Sequence, residues 1–241
     1  WFRPDIKTTP NFQASPMMET QMWDGALNLF EWARAGTTNC LMVEDWINDP
    51  YRVGFGEALL NAAARKHGQK LAHLIVADRH FRRRYLTALA LGAESFMDYL
   101  YGPVGIIGPG WADSPDGVRD RAEMLRWTRR VEDDLLATRL RPAETALLVA
   151  NSSEINTAFY EACPVETGLK FRAAGGRPLF RRAGAYSALL DGGVPVEIVS
   201  EEEILEDQAL DRYKALYVTD THVAATVQDA IKGWVAGGGC W

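Results

Sequence analysis

The sequence predicts an α/β protein built on parallel strands in two successive regions, and three observations carry that expectation. Short apolar runs alternate with amphipathic stretches, the rhythm parallel strands need because each crossover must travel back along the sheet, usually as a helix. Leu71 to Ala77 is nearly all apolar, the composition of a strand covered on both faces. The rhythm stops in a Gly/Pro-rich stretch from Val104 to Gly117 and a long charged helix, then restarts after Arg141-Pro142, a strong boundary signal.

Thr8 to Phe12 reads as extended, and Met22, Ala26, Leu29, Phe30 and Ala33 recur at helical spacing until Gly36. Cys40 to Val43 is the next strand. A helix from about Arg52 to His67 closes at Gly68, and the Leu71 strand follows. Tyr85 to Leu91 is helical before Gly92, and Ser95 to Tyr101 is extended. These units make half a barrel or half an open sheet. After the loop containing "GIIGPGWADSPDG", a helix from about Val118 to Leu140 carries Met124, Leu125, Trp127, Val131, Leu135 and Leu136 on its apolar side.

In the second region Ala146 to Ala150, Val196 to Val199 and Ala215 to Thr219 read as strands, with helices over Arg177 to Leu190 and Val223 to Val235. This is the pattern of a small doubly wound sheet. Gly192-Gly193 and Gly237 to Gly239 follow helices and read as C-caps, the latter leading into a further strand. The two regions are expected as domains over 1–140 and 141–241. A start at Trp1 and a finish just after a glycine turn suggest a fragment, with the second domain truncated at its C-terminus.

Composition narrows the function classes. With 47% hydrophobic and 24% charged residues among 241, the chain is globular. Its apolar runs fall short of the ~20 residues that cross a bilayer, so no membrane partner is expected. A formal charge of −6 argues against nucleic acid, and the basic run Arg79 to Arg84 reads as a solvated helix face. Cys40, Cys163 and Cys240 are odd in number and lack CxxC or metal-ligand spacing. No GxGxxG or GxxxxGK[ST] motif sits at a strand-to-helix turn, so neither a metal nor a nucleotide cofactor is expected.

The stretch "CLMVEDWINDP", residues 40 to 50, ends an apolar run in Glu44, Asp45 and Trp46. Neighbouring side chains on a strand point to opposite faces, so Glu44 and Asp45 diverge and at most one belongs to a given site. Glu44 is either a rim carboxylate with Trp46 beside it to stack a sugar, or a loop cap or partner of an arginine such as Arg52. Asp78 is either a site carboxylate or the cap of the following helix. Tyr99, Tyr101 and Trp111 either wall the site or pack in the core. His73, inside an apolar run, reads as a satisfied core histidine. Glu132-Asp133-Asp134 and Glu201-Glu202-Glu203 read as solvated charge runs.

The order of segments resembles the second half of glycoside hydrolase family 42 beta-galactosidases. "TTPNF" at Thr8 to Phe12 is similar to that family's fifth-strand "TTNF", and "VEDW" at Val43 to Trp46 to its sixth-strand "WDNY". "KLAHLIVAD" falls where the seventh strand carries the nucleophile, and "AESFMDYLYGP" resembles the eighth. The resemblance implies the C-terminal half of a (β/α)8 TIM barrel. A flavodoxin-like domain, glutamine-amidotransferase-like in fold, follows it and serves trimerisation in the family. A carbohydrate substrate and a possible homo-oligomer, a trimer, come with it. Glu44 takes the place of the sixth-strand carboxylate near the sugar, and Asp78 stands nearest the nucleophile's place. Asn11, Asp45, Trp46, Tyr99, Tyr101 and Trp111 are the candidate substrate contacts. The family's seventh strand carries a glutamate in a sequence like "LMEQ", where this chain has only apolar residues from Leu74 to Ala77. The family's general acid lies on its fourth strand, which would precede Trp1. The expected function is therefore part of a beta-galactosidase-like hydrolase, or a noncatalytic carbohydrate-binding or scaffolding relative that has lost the nucleophile.

Overall fold

The computed structural model of the chain describes residues 8–9, 11–12, 28–36, 38–45, 50–76, 81–99, 115–156 and 177–241. They form an α/β structure with two separate sheets, all of whose strand pairs are parallel. Neither sheet closes on itself among the described residues.

In the first sheet β1 (Asn11–Phe12), β2 (Cys40–Asp45), β3 (Lys70–Val76) and β4 (Ser95–Tyr99) lie side by side in chain order. Helices α2 (Pro50–Lys66) and α3 (Phe81–Ala90) connect them, and α4 (Pro115–Ala137) follows. The register sets Met42 beside Asn11 on one side and Ala72 on the other, with Ser95 next beyond Ala72. β3 has apolar side chains on both faces because both faces are covered. Ile75 packs with Phe81, Tyr85 and Met124 beneath α3 and α4, while Ala72 and Leu74 pack with Met42. Each fully buried side chain of this size stabilises the fold by about 1.5–3 kcal/mol. Tyr85 adds a ring contact with Phe96 at 4.2 Å between centroids and a hydroxyl hydrogen bond with Thr128 of α4.

His73 is a core histidine, as its apolar neighbours suggest: it is wholly buried and paired with the equally buried Glu57 of α2. Two other expectations change. β2 runs through Glu44 and Asp45, because backbone pairing to Leu74 and Ile75 continues where the apolar run stops. The basic run is also not wholly solvated. Arg82 and Arg83 are exposed, and Arg82 reaches Asp120 and Glu123 of α4 at 3.2 and 2.8 Å, but Arg84 is buried. Helical spacing explains this, since Arg84 lies three residues after the buried Phe81 and so shares its side of α3.

The remaining described residues, from Arg141 onward together with α1 (Leu29–Arg34), cluster as a second unit. Its sheet has the order β6 (Val196–Ser200), β5 (Thr145–Val149), β7 (Ala215–Tyr217). The helices are α5 (Asn151–Asn156), α6 (Arg177–Asp191), α7 (Glu201–Glu206) and α8 (Ala225–Ala236), with a 3-10 turn at Ala209–Arg212. Cys240 bridges to Ala215; since β5 holds one edge of β7, Cys240 lies on the other. The chain therefore steps from β5 to β6 on one side and returns to β7 on the opposite side, which makes the space between β5 and β7 a topological switch point. α1 lies between two strands of the first sheet in sequence yet clusters with this unit. Asn28 caps it by accepting the N–H groups of Phe30 and Glu31, and donates to Glu202 at 2.8 Å, while Arg34 pairs with Glu206.

α6 buries Leu179, Ala183, Tyr186 and Leu189 along one stripe and ends as the glycines predict. Gly193 adopts φ +74, and the N–H groups of Gly193 and Val194 donate to Leu190 and Leu189 at 2.9 and 2.8 Å, the paired bonds of a Schellman cap. Gly238, at φ +110, ends α8 in the same manner. Gly184 in mid-helix has open space where a Cβ would stand. Opposite effects are expected at the two sites: Gly193→Ala should destabilise by about 1 kcal/mol, and Gly184→Ala should stabilise by about 0.5–1 kcal/mol. Urea unfolding of the two variants beside the parent checks both signs.

Candidate functional site

In parallel sheets the loops that bind ligands gather at the carboxyl ends of the strands, so each sheet has one edge to inspect. In the first sheet Asn11 stands in β1, Glu44 and Asp45 are the last two residues of β2, and Tyr99 is the last of β4. The register sets Glu44 beside Leu74 and Tyr99 beside Val76, the final residue of β3. Glu44, Asp45 and Tyr99 thus have their backbones at the carboxyl edge, whereas Asn11 lies in the row of Met42, Ala72 and Ser95, where β4 begins. The side chains of Asn11, Glu44, Asp45, Tyr99 and Arg52, and the whole of Trp46, Asp78, Tyr101 and Trp111 lie outside the described residues. His73 and Glu57, the buried pair on β3 and α2, have no surface to offer a substrate.

The second sheet's edge holds a cluster that sequence reasoning missed. Arg182 of α6 is 2% exposed. Its Nε donates to both oxygens of Asp220 at 3.0 and 3.1 Å, and its Nη2 donates to Asp220 at 2.6 Å and to the carbonyl of Ala150 at 2.9 Å. Its Nη1 pairs with Glu154 of α5. Asp220 also accepts the N–H of Ala150 at 2.9 Å. Ala150 directly follows β5 and Asp220 closely follows β7, so this pair takes up both backbone groups at the end of β5 and ties the two strand ends together.

Two further side chains complete the edge. The buried hydroxyl oxygen of Ser153 accepts the N–H groups of Thr221 and His222, both at 3.1 Å. Glu201, at the start of α7, accepts from Ser152 at 2.9 Å and Ala224 at 2.8 Å. Glu203 closes a capping box with Ser200. The expectation that Glu201 to Glu203 form a solvated run is therefore corrected: Glu201 and Glu203 are buried. The physical reason is that loops and helix starts converge at this edge with N–H groups that find no partner inside their own elements, and buried N–H groups must be satisfied. Glu132, Asp133 and Asp134 are exposed as expected.

The electrostatics follow from burial. Desolvation works against the charge on Arg182, but Glu154 and Asp220 together outweigh it and leave its pKa above the ordinary value. Burial pushes the Glu154 carboxyl upward, opposed by Arg182 and reinforced by the negative charge of Asp220. The guanidinium spends its donors on protein partners, so the cluster acts as a lock on the switch point. Its one sequence signal is a charge at a core position: Arg182 falls three residues after Leu179 and four before Tyr186, on the buried stripe of α6. Among the described residues no group of three or more His, Cys, Asp or Glu is arranged to hold a metal ion. No protein-family model matches the chain, and no characterised protein matches it in sequence.

Replacing Arg182 with Met keeps much of the volume but leaves Asp220 and Glu154 buried without their cation. A loss of about 3–5 kcal/mol is expected in chemical denaturation. A pH effect follows as well. Because the folded-state pKa of Glu154 stands above its ordinary 4.5, the folded protein binds more protons in that window than the unfolded chain, and stability contributed at this site falls as pH rises through it. Unfolding free energies of the parent and Glu154→Gln, measured from the ordinary carboxylate range upward, should show a steeper decline in the parent.

Proposed function

We propose that the chain is part of a beta-galactosidase-like glycoside hydrolase, comprising the C-terminal half of a (β/α)8 barrel and a flavodoxin-like domain of the trimerisation type. The observation that supports this reading best is the carboxyl edge of the first sheet. In strands that follow strict chain order, β2 ends in Glu44-Asp45 and β4 ends in Tyr99, with Asp78 two positions after β3 in the sequence. Barrel enzymes draw their site residues from the ends of several successive strands. The order of the second sheet, which reverses around β5, is that of doubly wound domains.

In this reading the substrate is a glycoside bound across the strand ends. Glu44 places negative charge near the sugar, where it stabilises the oxocarbenium-like transition state, and Trp46 with Tyr99 stacks the ring. Asp78 is the candidate nucleophile. A retaining mechanism needs it about 5–5.5 Å from the acid/base carboxyl, which the resemblance assigns to the strand before the Thr8 segment. One specific observation favours a second reading. β3 ends in Leu74, Ile75 and Val76 with no glutamate, as expected of a carbohydrate-binding relative that has lost its nucleophile.

Hydrolysis of aryl galactosides by the parent protein and by Glu44→Gln and Asp78→Asn separates the two. The enzyme reading expects each variant to lose at least ~10²-fold in kcat/KM. The binding reading expects no turnover by the parent but sugar binding, measured by calorimetry, that weakens in Glu44→Gln. Absence of both turnover and binding overturns both. The 241-residue chain by itself is expected to show no turnover, because its matched segments hold no counterpart of the family's general acid.

A further inference from the structure

The long helix α4 carries a stripe that the proposed function leaves unused. Leu125, Arg129, Glu132 and Leu136 follow one another at spacings of four, three and four residues, which puts them on a single face. Both leucines are strongly exposed, 45% and 60%, and both charged residues are exposed. The helix rests on α3 through Met124 and Thr128, which lie to one side of this stripe. Arg126 and Asp133, also exposed, flank it on the other side. Among the described residues Arg126, Arg129, Glu132 and Asp133 have no ion-pair partner, although other exposed charges on α4 do, such as Arg119 with Asp116.

We infer that this stripe is a homodimer contact in which α4 of one protomer packs antiparallel against α4 of a second copy, about a two-fold axis near Arg130-Val131. The occupant is specified by charge. When the stripe is reversed and laid on itself, Leu125 meets Leu136 of the partner subunit, Arg129 meets Glu132 of the partner subunit, and Arg126 meets Asp133 of the partner subunit. Each contact occurs twice, as a two-fold interface requires. A parallel, in-register pairing would instead set Arg129 against its own copy and Glu132 against its own copy, which like-charge repulsion disfavours. Three turns of helix make a small interface, so the association is concentration-dependent and weakens with salt as the ion pairs are screened. The inference does not depend on the glycosidase reading.

Sedimentation equilibrium of the full chain over a range of concentration and ionic strength tests it, with circular dichroism to show that every variant is folded. Arg129→Glu puts like charges across both halves of the contact and should weaken association at least about tenfold; glutamate is as good a helix former as arginine, so the helix should persist. Arg129→Glu combined with Glu132→Arg restores opposite charges and should restore association. Leu125→Glu should abolish it. A monomer at all concentrations, an odd-numbered assembly indifferent to these variants, or a double charge reversal that fails to rescue would each overturn the antiparallel pairing. The trimer outcome would do so while leaving the glycosidase reading standing.

Discussion

Parallel pairing is the constraint on which this structure depends. A parallel strand takes its neighbours through crossovers that lie on the sheet faces, so central strands lose contact with water on both sides. β3 and β5 show the result: most of the side chains described in them are buried, and of the buried ones all but His73 are apolar. Polar residues are then displaced to the strand ends, where loops and helix starts leave backbone groups without partners. The carboxyl edge becomes the chemically rich part of each sheet whatever the protein does.

At the carboxyl edge of the second sheet the polar groups are turned inward on the protein itself. Arg182, Asp220 and Glu154 form a closed ion cluster, and Ser153 and Glu201 take up four backbone N–H groups. Burying a guanidinium is unfavourable unless its charge is matched and its donors are used, and here both conditions hold. An apolar replacement of equal shape is often as stable as such a cluster or more so; what the cluster adds is a set of hydrogen bonds that tie the β5 and β7 ends together.

The first unit contains the same device on a smaller scale. Glu57 and His73 join α2 to β3 without any exposed surface. A histidine in a run such as Leu71-Ala-His-Leu-Ile needs a partner from outside its own strand, and α2 provides one. That necessity made His73 readable as a core residue, although nothing in the linear order singled out Glu57. Arg84 is the opposite case. Its neighbours Arg82 and Arg83 suggested a solvated run, and only the phase of α3 separates it from them.

Hydrophobic periodicity and glycine position were enough to read most described strands and helices, the separate second sheet, and the caps at Gly193 and Gly238, because these depend on residues near one another in the chain. The short helices α5 and α7 were not readable: each is six residues long and polar, too short to show a 3.6-residue period. The end of β2 was legible only to within two residues, since the apolar run stops at Val43 while the strand continues to Asp45. What only the tertiary structure decided is which distant residues meet. Asp220 lies 38 residues from Arg182 and Glu201 lies 49 from Ser152, and α1 joins a unit whose other described residues begin at Arg141. The sequence by itself determined the period of each element and therefore its type; the pairing of its few buried charges was set by the crossovers that bring strand ends together, a long-range geometry that local patterning does not encode.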